Sequence, residues 1–95
     1  MKQYVVYILT NKRNTVLYTG ISSKLSERLQ QHLEKVVKSF TNKYNVNKLI
    51  YYEIFNDPTT AITREKQIKS WSRKRKEKLI KVVNPEWEDL VKNHL

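Results

Sequence analysis

The chain has 95 residues and no cysteine, and its 19 lysines and arginines outnumber its nine acidic residues, giving a net charge of +10. A chain of this length supplies one modest hydrophobic core, so we expect a single domain over residues 1–95. Without cysteine, a disulfide framework and a thiolate zinc site are both excluded. The excess of positive charge favours a polyanionic partner, and nucleic acid is the first to consider.

The N-terminal segment MKQYVVYILTNKR gives no sign of membrane insertion or secretion. Its apolar run is far shorter than a membrane span, and it lacks the small-residue cleavage site of a secretory signal. We therefore expect a cytoplasmic protein with no membrane partner.

The first half of the chain predicts a β-hairpin followed by a helix. Residues 3–10 and 16–21 are rich in β-branched and aromatic types, and turn-forming residues lie between them. From Ser22-Ser23, which are good N-cap residues, apolar residues recur at helical spacing over 22–38. A polar loop is then expected over 39–45.

The second half predicts one more strand and two helices. Residues 47–55 have the aliphatic and aromatic density of a strand, and Asp57-Pro58 suits an N-cap and first helical position. The helix that starts there is expected to reach Trp71, a basic third helix covers 73–83, and Asn84-Pro85 ends it. The predicted fold is α+β, with a three-stranded antiparallel sheet flanked by helices in the order β-β-α-β-α-α.

Two polar residues share the apolar side of the first predicted helix. Arg28 and His32 lie one turn apart and face the same way as the leucine stripe. They could be an arginine that extends to solvent beside a histidine at the edge of the core. They could also be a cation and an acid–base group aimed at a phosphate.

Glu65 is an unusual residue on the second predicted helix, because helical projection places it on the inward side between Ala61 and Ile68. A buried, ionised carboxylate costs several kcal/mol unless it is paired or binds a metal. One interpretation is an ion pair with Arg28 or Lys69. The other is a metal ligand, and the sequence leaves both open.

Tyr7 and Tyr18 fall on the two strands of the predicted hairpin and could be cross-strand neighbours. Packing explains them equally well, since tyrosine is a good strand residue. A catalytic tyrosine would need nearby cations to lower its pKa from about 10.

A dense cationic run follows Trp71. It could track a phosphate backbone while Trp71 stacks on a base, or it could be a solvated helix face with Trp71 in the core. The candidates for nucleic-acid contact are Gly20, Lys24, Trp71, Arg73, Lys74, Arg75 and Lys76. Gly20 is included because a missing Cβ would let a phosphate backbone approach.

Taken together, these residues resemble the GIY-YIG endonuclease superfamily, in particular its small stand-alone bacterial branch (UPF0213-like). Val5-Val6-Tyr7 and Tyr18-Thr19-Gly20 resemble its two name-giving motifs, and ten residues separate them, as in the family. Arg28 and His32 match the helical arginine and the histidine that follows it. The segment 64–72 resembles the glutamate-bearing helix. Only the tyrosines and the last glycine of the literal motifs are retained.

The resemblance implies hydrolysis of DNA phosphodiesters with one divalent metal ion, Mg²⁺ or Mn²⁺, held by Glu65. It implies that Tyr7 and Tyr18 supply the base and position the phosphate. Arg28 would stabilise the charge that develops on phosphorus, and His32 would assist proton transfer or orientation. The family also uses a late asparagine near the site, for which Asn84 is the nearest candidate in this chain.

The resemblance further implies a core over residues 2–78 with a C-terminal helical extension over 79–95. No DNA-recognition domain accompanies this core, so we expect low sequence specificity with binding through phosphate contacts. We also expect a monomer that acts on DNA, with branched or damaged DNA among the candidate substrates, in repair or recombination. RNA stays open as a partner. The alternatives are a nucleic-acid-binding module on the same fold that does not cut and, third, a protein-interaction domain with an incidental basic surface.

Overall fold

A computed structural model of the protein describes residues 3–23 and 29–91. The elements are β1 (Tyr4–Thr10), β2 (Leu17–Ser22), α1 (Leu29–Tyr44), β3 (Lys48–Phe55), α2 (Pro58–Ser70) and α3 (Arg73–Val83). The strands form one antiparallel sheet in the order β2-β1-β3. The predicted α+β class and element order are confirmed. No helix in the described stretches is long and apolar enough to cross a membrane.

The central strand β1 is buried on both sides and divides the core in two. Val5, Tyr7 and Leu9 face a cluster with the α1 residues Leu33 and Val36. The alternate residues of β1 face a second cluster that α2 and α3 cover. The sheet is therefore the middle layer of three, and β2 is left as an edge strand with a helix on either side.

Helix α1 differs from its predicted bounds at its C-terminal end. It continues through the expected polar loop to Tyr44, and the hydroxyls of Ser39 and Thr41 donate to the carbonyls of Lys35 and Val37 within the helix. Asn45 ends it at φ 55°, donating its backbone N–H to Thr41. The polar composition of residues 39–45 predicted a loop, but two of its hydroxyls donate to backbone carbonyls of the preceding helical turn, so the segment stays helical.

Of the two N-cap candidates, Ser22 and Ser23, the structure contradicts Ser22, because it is the last residue of β2 and pairs with Val5 of β1. The start of α2 is confirmed: the Asp57 carboxylate accepts a hydrogen bond from the Thr60 backbone N–H at 2.7 Å. Ser72 caps α3 in the same way.

The segment after α3 packs back onto the sheet through Asn84, which is 4% exposed. The Asn84 amide donates to the carbonyls of Ile50 and Glu88, and its oxygen accepts from the Glu88 N–H. The bond to Ile50 ties the C-terminal segment to β3, and the two bonds with Glu88 fix the turn that follows α3. Asn84 therefore holds the fold together at the β3 edge, and the site described below lies at the opposite edge, along β2.

Candidate active site

The ring of Tyr7 crosses Gly20 at the β2 edge of the sheet. The two residues pair across β1 and β2, and a Cβ added to Gly20 would lie 2.5 Å from Oη and 2.6 Å from Cζ of Tyr7. Gly20 has no positive φ, so its backbone conformation does not require glycine. Glycine is required because the Tyr7 ring lies where a Cβ would be. The space that we expected to admit a phosphate backbone holds the Tyr7 ring.

Tyr18 lies on the same face as Tyr7 but diagonal to it, because its direct partner on β1 is Leu9. Its ring centroid lies 4.9 Å from that of Phe40 and 5.0 Å from that of Tyr44, both on α1. Phe40 also contacts Tyr7, at 6.2 Å. Sequence reasoning missed Phe40 and Tyr44, although their spacing of four residues was a signal that the helix continues.

Tyr7 is a protonated phenol in the free protein. Burial raises the pKa of Tyr7 far above its ordinary value, and the neighbouring Tyr18 and Glu65 raise it further. Tyr18 and Glu65 therefore shift the pKa of Tyr7 upward, whereas a catalytic base would need a lowered pKa. Tyr7 is therefore a hydrogen-bond donor at neutral pH, and it could become a base only if a cation arrived with the substrate.

Glu65 lies on the inward side of α2, as its helical spacing predicts, and is 8% exposed. Its Oε2 atom lies 2.7 Å from Nζ of Lys69, one turn along the helix. The hydrogen bond to Glu65 raises the pKa of Lys69, so the ammonium stays charged. Of the interpretations left open for Glu65, the structure shows the ion pair with Lys69.

Glu65 supplies a single carboxylate ligand, which limits the kind of metal site that it could form. Carboxylate oxygen is a preferred ligand of Mg²⁺ and Mn²⁺. Within residues 3–23 and 29–91, no group of three or more His, Cys, Asp or Glu side chains could hold an ion. Glu65 could therefore hold a single ion whose other positions are filled by waters or phosphate oxygens, whereas a two-metal clamp needs more carboxylates.

His32 is buried on α1 and lies 2.9 Å from the hydroxyl of Ser22, measured from Nε2 to Oγ. Both residues line a pocket of about 480 Å³ together with Tyr7, Phe40 and Lys35. The structure thus brings His32 and Tyr7 to the same cavity. Sequence reasoning missed the role of Ser22, because its position before a helical pattern resembled an N-cap.

Arg28 and Lys24 lie outside the described residues. Of the predicted pair Arg28 and His32, the structure places His32 alone, on the side of α1 that faces Tyr7. The roles assigned to Arg28 and Lys24 remain predictions.

The basic run around α3 divides into residues with internal partners and residues that face solvent. Arg73 donates to the carbonyl of Thr15 at 2.8 Å and pairs with Glu77, so it anchors the hairpin loop. The guanidinium of Arg75 lies 4.1 Å from the ring of Trp71, and Trp71 packs against the second core cluster.

The residues of this run that were predicted to contact nucleic acid differ in how accessible they are. Lys74 and Arg75 are exposed and line a shallow pocket with Ser72 and Lys78, whereas Lys76 is half-buried. Trp71 is already in contact with Arg75, and its stacking on a base would require this contact to open. A contact with phosphate therefore suits Lys74 and Lys78 best.

Comparison with known proteins decides the family. A model of the GIY-YIG catalytic domain matches residues 3–78. The chain belongs to the GIY-YIG family. The matched range contains Tyr7, Tyr18, Gly20, His32 and Glu65, so every site residue that the structure places together lies inside the GIY-YIG domain.

The curated relatives of this GIY-YIG protein bear the name UPF0213 and occur in bacteria and archaea. The UPF0213 protein of Staphylococcus haemolyticus is 34% identical over 80 residues, covering 84% of this chain and 96% of that protein. The UPF0213 protein of Syntrophus aciditrophicus is 38% identical over 87 residues, covering 90% and 98%.

A solved relative shares the fold along nearly its whole length. The solution NMR structure of the UPF0213 protein from Bacillus halodurans is similar with a TM-score of 0.57 and 25% identity, covering 99% of this chain and 98% of that one. The α3 helix and the segment after it are therefore part of a shared architecture, although the family match ends at residue 78.

Proposed function

We propose that this GIY-YIG protein is a cytoplasmic, metal-dependent endonuclease that hydrolyses DNA phosphodiester bonds with low sequence specificity, in DNA repair or recombination. The observation that carries the proposal is the convergence of Tyr7, Tyr18 and Glu65 at the β2 edge. They lie close enough for the other two to raise the pKa of Tyr7. Membership of the family over residues 3–78 supports a nuclease.

Hydrolysis joins a water oxygen to phosphorus and breaks the bond to the leaving oxygen, which takes up a proton. In our proposal the neutral phenol of Tyr7 donates a hydrogen bond to a phosphate oxygen. In its phenolate form, Tyr18 takes the proton of the attacking water, and the Lys69 ammonium is close enough to interact with it. His32, held by Ser22, orients the leaving group or returns a proton to it, and Arg28 offsets the added negative charge.

Mg²⁺ or Mn²⁺ bound to Glu65 would neutralise charge on the phosphate as the new bond forms. Glu65 suits this role because its carboxylate is shielded from solvent and held on a regular helix. A shielded carboxylate interacts more strongly with a cation than an exposed one does.

Substrate binding is proposed to depend on phosphate contacts made by exposed basic side chains of α3. Lys74 and Lys78 flank a shallow pocket of about 430 Å³ at the start of α3. Binding through such contacts is sequence-tolerant and weakens steeply as salt is raised. Duplex, branched and damaged DNA, and RNA, are the substrates to compare.

The test is a nicking assay on supercoiled plasmid and on branched DNA with Mg²⁺, with Mn²⁺ and with EDTA. We expect cleavage with either metal, none with EDTA, and a loss of at least about 100-fold in Glu65→Ala. Glu86→Ala is the matched control, because Glu86 is an exposed carboxylate after α3. Cleavage that persists in EDTA or in Glu65→Ala would contradict the proposal.

One observation favours a second function, a nucleic-acid-binding module that does not cut. Glu65 already has a cationic partner in Lys69, so its burial is explained without a metal. This alternative predicts salt-sensitive DNA binding that Glu65→Ala leaves unchanged, and no cleavage with any metal or substrate.

A further inference from the structure

The Lys69 ammonium lies where it can compete with a metal ion for Glu65. Its Nζ atom is 2.7 Å from Oε2 of Glu65, which is the distance of a charge-assisted hydrogen bond. A cation bound to the same oxygen would be repelled by an ammonium held this close. The two cations therefore cannot both keep full contact with that oxygen.

The burial of the two partners is unequal, and this makes Lys69 the one that moves. The Glu65 side chain is 10% exposed, whereas that of Lys69 is 54% exposed. A lysine has a flexible stem of four carbons, and an ion pair with a half-exposed partner contributes little to stability. Once a metal ion pairs with Glu65 in its place, the ammonium can swing into solvent at small cost, while Glu65 stays in place.

We propose that Lys69 is a built-in counter-ion that neutralises Glu65 until a divalent metal ion displaces it. The inference rests on the proposed function, because it takes Glu65 as the metal ligand, and it adds a residue that controls the affinity of that site. Lys69 keeps the shielded carboxylate paired before the metal arrives, and it lowers the apparent metal affinity. Released from Glu65, its ammonium is free to approach the phosphate.

The test measures Mn²⁺ binding to the isolated protein through paramagnetic broadening of backbone amide signals. Broadening should centre on residues near Glu65, including Tyr7, and give an apparent dissociation constant. We expect Lys69→Met to tighten this constant by about threefold to fivefold relative to Lys66→Met, the matched control. Lys66 is an exposed lysine on the same helix, so both variants lose one positive charge and keep an apolar stem.

Two further measurements separate competition from a general change in charge or folding. Lys69→Arg keeps the charge and should bind Mn²⁺ no more tightly than the wild-type chain. In the wild-type chain, Mg²⁺ should shift the side-chain Nζ signal of Lys69 and leave that of Lys66 unchanged. Lys69→Gln serves as a second neutral variant, and amide spectra of all variants establish that they are folded.

Equal Mn²⁺ affinities in Lys69→Met and Lys66→Met, or no broadening around Glu65 in any variant, would overturn the inference. Its failure can be told apart from that of the proposed function. A protein that cleaves DNA with unchanged metal affinity in Lys69→Met contradicts the counter-ion role alone. Tighter Mn²⁺ binding in that variant without cleavage of any substrate supports the counter-ion role and contradicts the endonuclease.

Discussion

Glu53 and Glu65 are two partly shielded carboxylates, and each pairs with a cation from α2. The carboxylate of Glu53 accepts three hydrogen bonds from the Arg64 guanidinium, at 2.9 to 3.1 Å, and one from the Tyr51 hydroxyl. Among residues 3–23 and 29–91, Glu65 has one ion-pair contact, from the flexible ammonium of Lys69.

The type of cation decides which of the two carboxylates can change partners. The planar fork of arginine fits a carboxylate in one arrangement, so the Glu53 pair is fixed by geometry. The ammonium of lysine is a compact point charge on a flexible stem, so its contact with Glu65 has no comparable fixed geometry. We infer that the Glu53 pair stabilises the fold between β3 and α2, whereas the Glu65 pair is exchangeable.

The largest expected effect comes from neutralising each carboxylate in turn. Glu65→Gln should lower DNA cleavage by at least about 100-fold and change the free energy of unfolding by less than about 1 kcal/mol. Glu53→Gln should have the opposite pattern. At temperatures below its melting transition, its DNA cleavage should stay within about threefold of the wild-type chain, whereas its free energy of unfolding should fall by about 2 kcal/mol. Plasmid nicking measures the cleavage of both variants, and urea unfolding measures their stability. Similar stability losses in the two variants would contradict the distinction between a fixed Glu53 pair and an exchangeable Glu65 pair.

A smaller effect is expected when each cationic partner is replaced by the other basic residue, lysine for Arg64 and arginine for Lys69. Arg64→Lys should cost about 1–2 kcal/mol of unfolding free energy, because lysine cannot make the two-nitrogen contact with Glu53. Lys69→Arg should stay within about 0.5 kcal/mol of the wild-type chain, because the pair is half-exposed. Chemical unfolding at one pH compares the two, and an equal cost would show that both pairs are fixed.

The sequence predicted the parts of this comparison that depend on local periodicity. Helical spacing placed Glu65 on the inward side of α2 and offered Lys69 as a partner. Helical spacing could not exclude Arg28 as the partner of Glu65, because the periodicity of one helix does not show which residues of another helix pack against it. The crossing of Tyr7 over Gly20 depends on strand register, which the hairpin loop sets, and spacing alone left the two tyrosines merely as neighbours.

The end of β2 and the C-terminal end of α1 were missed for a different reason. Ser22 resembled an N-cap, but its pairing with Val5 extends β2 through it. The polar residues that follow Lys38 resembled a loop, yet Phe40 and Tyr44 pack against Tyr18 and keep the segment helical. In both places tertiary contacts overrode local preference.

The smallest expected effect concerns the tyrosine beside the fixed carboxylate. Burial and the hydrogen bond to Glu53 raise the pKa of Tyr51 to about 12. A raised pKa means that the folded state holds the proton more tightly, so this stability is fully present below about pH 10 and is lost as the pH rises towards 12. Tyr51→Phe should remove this dependence, which for one group amounts to no more than about 1.4 kcal/mol per pH unit.

Urea unfolding at pH 8, 10 and 11 provides the measurement, with Tyr44→Phe as the control. Tyr44 is 41% exposed, so its replacement should leave the alkaline loss of stability as it is in the wild-type chain. Because lysines also lose charge in this range, the quantity to compare is the difference in slope between the two variants. Equal slopes would mean that the Tyr51 hydroxyl contributes nothing to holding Glu53 in place, and the Arg64 fork alone would then distinguish the fixed carboxylate from the exchangeable one.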